Sequence, residues 1–364
     1  MKLVSILPGA VLPAAASSLA GSVLARSVLV GDERWVKGRL LTASEIEALA
    51  GADVSLYGPW ADPTEHGQAI TLLVPEPGDV HEDAAALRLA AAVAGPGLVV
   101  RGPSESRIDL VAAAAGAVRV RVGLLERVNR IDGLGVFSVI DGQLVESGAL
   151  VASVKTGPHL VREEALARAE ALASRAHGIV AVSAYRQFRV AAVVKEMLAL
   201  AARARFEAAL RTKVEAAGSV FVGVRYVHDD PQAVEAAFRA LLLGSHAVDL
   251  LLTAGAASTD PSDAIFRAFE AVGGRIVSHG VPAHPGSMLW LGRAGRAGRT
   301  TFLGLPTCGA YSRATAADIL LPWLFAGERP SRALVARLAH GGSLGREMRF
   351  RFPAYARDLD APEG

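Results

Sequence analysis

From about residue 187 the chain alternates between short unbroken apolar runs and amphipathic segments, and this rhythm limits the folds open to it. "FRVAAVV", "SVFVGVRYV", "VDLLLTAG" and "RIVSHGV" are apolar along their length, as strands covered on both faces must be. Between them lie "RARFEAALRTKVEAAG", "DDPQAVEAAFRALLLG" and "PSDAIFRAFEAVGG", which have helical periodicity and helix punctuation. Pro231 follows an Asp that can cap, and Gly218, Gly244 and Gly273 stand where helices stop. Two strands around "LGRAGRAGRTTFLGL" and a last helix from about Tyr311 to Leu320 complete the pattern. The expectation is an α/β fold: a C-terminal three-layer α/β/α domain with a mostly parallel sheet.

The earlier half reads differently. "SVLVGDERWVKGRLLT" alternates around Gly31-Asp32 as a hairpin does, and Thr42 to Glu45 opens a short helix ending near Gly51. In "EPGDVHEDAAALRLAAAVAGPG", Asp79 is the expected N-cap of a helix that Gly95-Pro96 stops. A further helix is expected over residues 163–175. This half is an α+β N-terminal region. The organisation expected is a β-rich segment over 1–75, an α+β region over 76–186, the α/β domain over 187–326 and a C-terminal tail over 327–364.

Several function classes are disfavoured by composition. The net charge of +2 gives no global field for nucleic acid. The Arg346, Arg349, Arg351 and Arg357 cluster is expected to be a solvated tail. No run of 18 apolar residues occurs, so no membrane span is expected. A single cysteine, Cys308, forbids an internal disulfide and suits a reducing, cytoplasmic setting. The N-terminus imitates a signal peptide, but Pro8 and Pro13 interrupt its apolar run, and no export is expected.

Chemistry is most legible in "LLLTAGAASTDPSDAIFRAFEAVGG", Leu250 to Gly274. Small residues after Thr253 let backbone N–H groups approach an anion at a helix N-terminus, beyond the carboxyl end of a strand. Asp263 has two readings here, as a plain helix cap or as a functional acid. Cys308 is either a small packing residue or a soft thiolate. His279 and His284 lack the close ligand pair of a zinc site. "GRAGRAG" lacks the strand before and helix after that a dinucleotide fingerprint requires.

Three ordered motifs, the Leu250–Gly274 stretch, "GVPAHPGSMLWLGR" and "FLGLPTCGAYS", resemble the molybdopterin-binding domain family over roughly residues 187–326. That family includes molybdopterin adenylyltransferases and molybdotransferases. The segment from Val23 to Tyr57 is similar to part of the molybdotransferases. "GLPTCGAYS" is similar to a less characterised group whose loop reads Gly-x-Pro-Gly-Cys-x-x-Ser. The resemblance implies that molybdopterin is bound by Thr253, Gly255, Ala256 and Ser258, with Pro285, Gly286, Gly304, Pro306, Cys308 and Ser312 on facing loops. It implies that Asp263 is the catalytic acid and the metal residue, acting with Mg²⁺ on molybdate. Self-association is implied too.

The same comparison shows departures. Ala256 replaces a Gly, His284 and Ser287 replace basic residues, and Cys308-Gly309 replaces Asn-Pro. "VVKEM" keeps Glu196 but loses the Gly-Asp of the family's Thr-Gly-Asp-Glu. Three readings remain open: a transferase that inserts molybdate into adenylated molybdopterin and releases AMP, a non-catalytic carrier that delivers the cofactor to a partner molybdoenzyme, and a domain that has drifted to another phosphorylated ligand.

Overall fold

Six strands of the C-terminal half join into one sheet. They are β1 (Arg189–Val194), β2 (Val220–Tyr226), β3 (Leu250–Ala254), β4 (Arg275–His279), β5 (Trp290–Ala294) and β6 (Thr300–Gly304). Their order is β2-β1-β3-β6-β5-β4. β1 is parallel to β2 and β3, and β3 to β6; at one edge β5 runs antiparallel to both β6 and β4. The helices are α1 (Leu200–Glu215), α2 (Pro231–Leu242), α3 (Ala264–Ala271) and α4 (Ala317–Phe325). This is a computed structural model, and it describes residues 1–51, 53–58, 68–104, 106–195, 198–243, 247–256, 258–305 and 314–357.

Alternation along the strands divides the core in two. Val190, Ala192, Leu250, Leu252 and Leu303 face Phe206, Leu210 and Val214 of α1 and Ile319, Leu320 and Leu324 of α4. On the other face Ala191, Val193, Leu251 and Phe302 meet Val234, Phe238 and Leu241 of α2 and Ile265 and Phe269 of α3. Every strand residue of β3 is buried, because helices cover both sides. The expected three-layer α/β/α arrangement with a mostly parallel sheet is therefore present.

Helix entrances follow the local sequence. Asp230 caps α2 by accepting from Ala233 N–H, with Pro231 in the first turn. Asp263 caps α3 by accepting from Ile265 N–H. α4 departs from expectation: it starts at Ala317 and runs through Pro322 to Phe325. All nine of its residues are buried, so packing outweighs the helix-breaking cost of the proline. Asp318 in its first turn accepts from Thr315 N–H, pairs with buried Lys213 and accepts from the Tyr355 hydroxyl.

The expected solvated arginine tail needs correcting too. Leu334, Val335, Leu338, Leu344, Phe352 and Ala356 enter the core beside α1 and α4. They draw in Arg351, which donates to the carbonyls of His340 and Gly341 and whose pKa burial pushes down. Arg346 and Arg357 stay exposed.

The chain divides into two compact units: residues 1–111, 120–139 and 150–181 form one, and residues 112–119, 140–149 and 182–364 the other. Within the first unit, Lys2–Ile6, Ile70–Val74 and Val23–Leu24 make a small antiparallel sheet. Val28–Val30 pairs with Glu33–Trp35 as the hairpin expected around Gly31-Asp32. The helix at Ala43–Leu49 is entered through a capping box between Thr42 and Glu45. Asp79 is not a helix cap. It lies in the strand Asp79–His81, paired with Leu160–Arg162, and His81 caps the helix Glu82–Val93 instead. Arg88 of that helix forks onto Glu163 and Glu170 of the helix Glu163–Ser174.

Candidate functional site

The strand order places a reversal between β1 and β3. The chain leaves β1, adds β2 on one side, then crosses to add β3 on the other. Two loops diverge above the sheet at such a point, and their carboxyl-end crevice is where open α/β sheets hold ligands. The loops are the one after Val194 and the one after Ala254, and both carry residues with chemistry.

Lys195 directly follows β1. Its Nζ donates to Asp263 Oδ2 at 2.6 Å and to Asp229 Oδ1 at 2.8 Å. Asp229 follows β2 and Asp263 follows β3, so three adjacent parallel strands each send one charged group to the same point. The Asp263 side chain is 2% exposed and that of Lys195 is 7% exposed, while that of Asp229 is 64% exposed. Burial works against the lysine's charge, but the bonds to Asp229 and Asp263 prevail and hold its pKa above the ordinary value. Asp263 Oδ1 takes the Ile265 N–H, so the cap reading of Asp263 holds while its other oxygen binds the ammonium.

The neighbouring residues of the loop are placed as follows. Thr253 is buried, and its Oγ1 has no hydrogen-bond partner among the described residues. Gly255 has φ +89°, which suits glycine, as the chain turns out of the strand. Ala256 packs its methyl against the α2–α3 core. Ser258 is half-buried in the following turn. Asp260 closes that turn by accepting from the N–H and hydroxyl of Ser262.

Gly304 stands beside Thr253 in the register, and Trp290 beside Gly304. A methyl on Gly304 would lie 1.8 Å from Trp290 Nε1, so the indole fills the space the glycine leaves. That indole N–H is buried without a partner. Pro285 and Gly286 are held against the entrance of α4: Ala316 N–H donates to the Pro285 carbonyl, and a methyl on Gly286 would lie 2.9 Å from Ala316 N. The loop is also pinned by His284 N–H to the Gly342 carbonyl and Leu344 N–H to the His284 carbonyl. Its described hydrogen bonds thus run to α4 and the 342–344 segment rather than to the Thr253–Asp263 loop. Pro306, Cys308 and Ser312 lie outside the described residues, as does Glu196.

For a divalent metal the fit is poor. Both Asp263 oxygens are occupied, one by an ammonium. Among the described residues no three His, Cys, Asp or Glu side chains gather to hold an ion. His279 packs against Phe266 instead, with ring centroids 5.0 Å apart and the planes tilted by 60°.

Residues 190–326 match the family model described as a probable molybdopterin binding domain. The match covers less than half of the chain. The match begins within β1 and closes just after α4, so it takes in the whole reversal point described above. No curated protein matches the sequence. Among solved structures, molybdenum cofactor biosynthesis protein B is 15% identical, covering 43% of this chain and 99% of its own, with a TM-score of 0.26. A NadC deletion mutant is 16% identical over 44% of this chain and 69% of its own, with a TM-score of 0.16. Superpositions this weak carry no structural weight. Among the described residues no helix is long and apolar enough to cross a membrane.

Lys195 is the site residue that motif reading passes over. Its signal was present: one of only five lysines in the chain, it ends an unbroken apolar strand. The motif comparison registers only the missing Gly-Asp, because a lysine has no place in the family's pattern.

Proposed function

We propose that this protein binds molybdopterin at the β1–β3 reversal point and acts in molybdenum-cofactor biosynthesis or delivery. The observation that carries this reading is the family match over residues 190–326, centred on the small-residue loop from Thr253 to Asp263. A backbone turn and the buried Thr253 hydroxyl, which has no partner among the described residues, come from that loop, and the loop after β1 adds the ammonium of Lys195. Because Asp263 is tied to Lys195, the geometry favours a carrier that holds and delivers the pterin.

The test is purification of the full chain from a host that makes the cofactor, followed by oxidation and fluorescence of the released pterin. Stoichiometric pterin in the wild type, reduced in Thr253→Val and abolished in Ser258→Trp, supports the reading. Background fluorescence after reconstitution with added cofactor would refute it.

A second reading, molybdate insertion with release of AMP, is favoured by the retained Asp263 at the family's spacing. AMP release from adenylated molybdopterin, dependent on added molybdate, would establish the transferase. Retention of pterin without any AMP would leave the carrier.

A further inference from the structure

The resemblance implies Mg²⁺ at Asp263, and the structure offers an ammonium there instead. Magnesium binds carboxylate oxygen at about 2.0–2.1 Å and keeps an octahedral shell of waters and oxygens. Such an ion on Asp263 would meet the Lys195 charge, which lies 2.6 Å from Oδ2, and would find the other oxygen occupied by Ile265 N–H. The carboxylate is also buried, so an ion there would displace partners its oxygens already have.

We infer that Lys195 takes the place of the divalent cation, so that the domain grips a phosphate of its ligand through a fixed ammonium and binds without metal. The identity of the ligand rests on the molybdopterin reading above. A lysine has three N–H donors. Asp263, buried, anchors one of them, and the exposed Asp229 holds a second. A phosphate oxygen takes the third or replaces Asp229, whose side chain is free to turn into solvent. Thr253 adds a neutral donor on the same face of the sheet: it is level with Val193 across the β1–β3 pair, and Lys195 follows Val193 by two. Its buried hydroxyl has no partner among the described residues.

The cation is tested first and without pterin. Mn²⁺, a stand-in for Mg²⁺, is titrated into the full chain and followed by water-proton relaxation. The wild type is expected to show no site at millimolar Mn²⁺. A stoichiometric wild-type site that Asp263→Asn abolishes would overturn the inference, and this arm needs no folded Lys195 variant.

Molybdopterin released from a purified molybdoenzyme is then titrated in EDTA and in Mg²⁺. Wild-type affinity is expected to agree within about twofold between the two. Lys195→Met is expected to lose about tenfold in EDTA, roughly one charged hydrogen bond, and to regain part of it in Mg²⁺ once the two carboxylates lose their shared cation. A purely packing role for Lys195 would show no such rescue. Wild-type binding that falls about tenfold in EDTA would overturn the inference. Absence of pterin binding in both buffers would instead overturn the molybdopterin reading, with the Mn²⁺ arm still deciding the cation.

Discussion

Lys195 and Asp263 are 68 positions apart in sequence, yet their side chains meet at 2.6 Å above the central strands of the C-terminal sheet. Both are almost fully buried, so the Asp263 charge depends on the lysine, which is itself shared with the exposed Asp229. Removing the lysine leaves the Asp263 carboxylate stranded, whereas removing both takes the buried pair away together.

Lys195→Met is therefore expected to destabilise the chain by about 3–5 kcal/mol. Asp263→Asn should cost less, because Asn still caps α3 and Lys195 keeps Asp229. The double variant should recover part of the Lys195→Met loss. Urea unfolding of the four proteins gives the coupling energy, and additive losses would contradict a direct buried pair.

Thr253→Val separates binding from stability. The hydroxyl makes no internal hydrogen bond, so its removal is expected to leave unfolding unchanged or to raise the midpoint slightly. Pterin affinity should drop about fivefold to tenfold, the worth of a hydrogen bond of about 1 kcal/mol. Denaturant melts beside a fluorescence titration check both arms, and an equal loss in both would make Thr253 a structural residue.

Gly304→Ala puts a methyl where the Trp290 indole sits. Overpacking of about 1–3 kcal/mol is expected. Trp290→Leu in the same chain should relieve much of it, although loss of the indole has its own cost. Thermal melts of the two single variants and the pair measure the relief.

Glu82, in the first unit, predicts a pH effect. Its carboxylate is buried, and the bond from its Oε1 to His159 Nδ1 is 2.8 Å. Burial favours the neutral acid, but His159, with smaller contributions from Ser106 and His81, outweighs it and holds the Glu82 pKa below its ordinary value of 4.5. A lowered carboxylate pKa means stability present above the unfolded value and lost as pH falls through the folded one. The stability difference between wild type and Glu82→Gln, about 1.5–3 kcal/mol at neutral pH, should therefore shrink only below pH 4.5. Chemical denaturation across pH 3 to 7 tests it, and a difference that already vanishes at pH 6 would assign the effect elsewhere.

The alternation of apolar runs and capped helices was enough to place the layers, the parallel strands and the loop after Thr253, because hydrophobic period and capping are local properties of the chain. The cap at Asp263 was readable for the same reason. Local signals misled at Asp79, where pairing of Asp79–His81 with Leu160–Arg162 delays the helix, and at Arg351, which neighbouring apolar residues carry inward.

Neither the partner of Asp263 nor the occupant of the space at Gly304 could be read from residue types. Both follow from strand order and register: β1 beside β3 brings Lys195 to Asp263, and β5 beside β6 lays Trp290 against Gly304. Those adjacencies are long-range, set by how whole strands and helices pack. For that reason the motif pointed to a metal-binding acid, and the folded chain shows the same carboxylate held by a lysine.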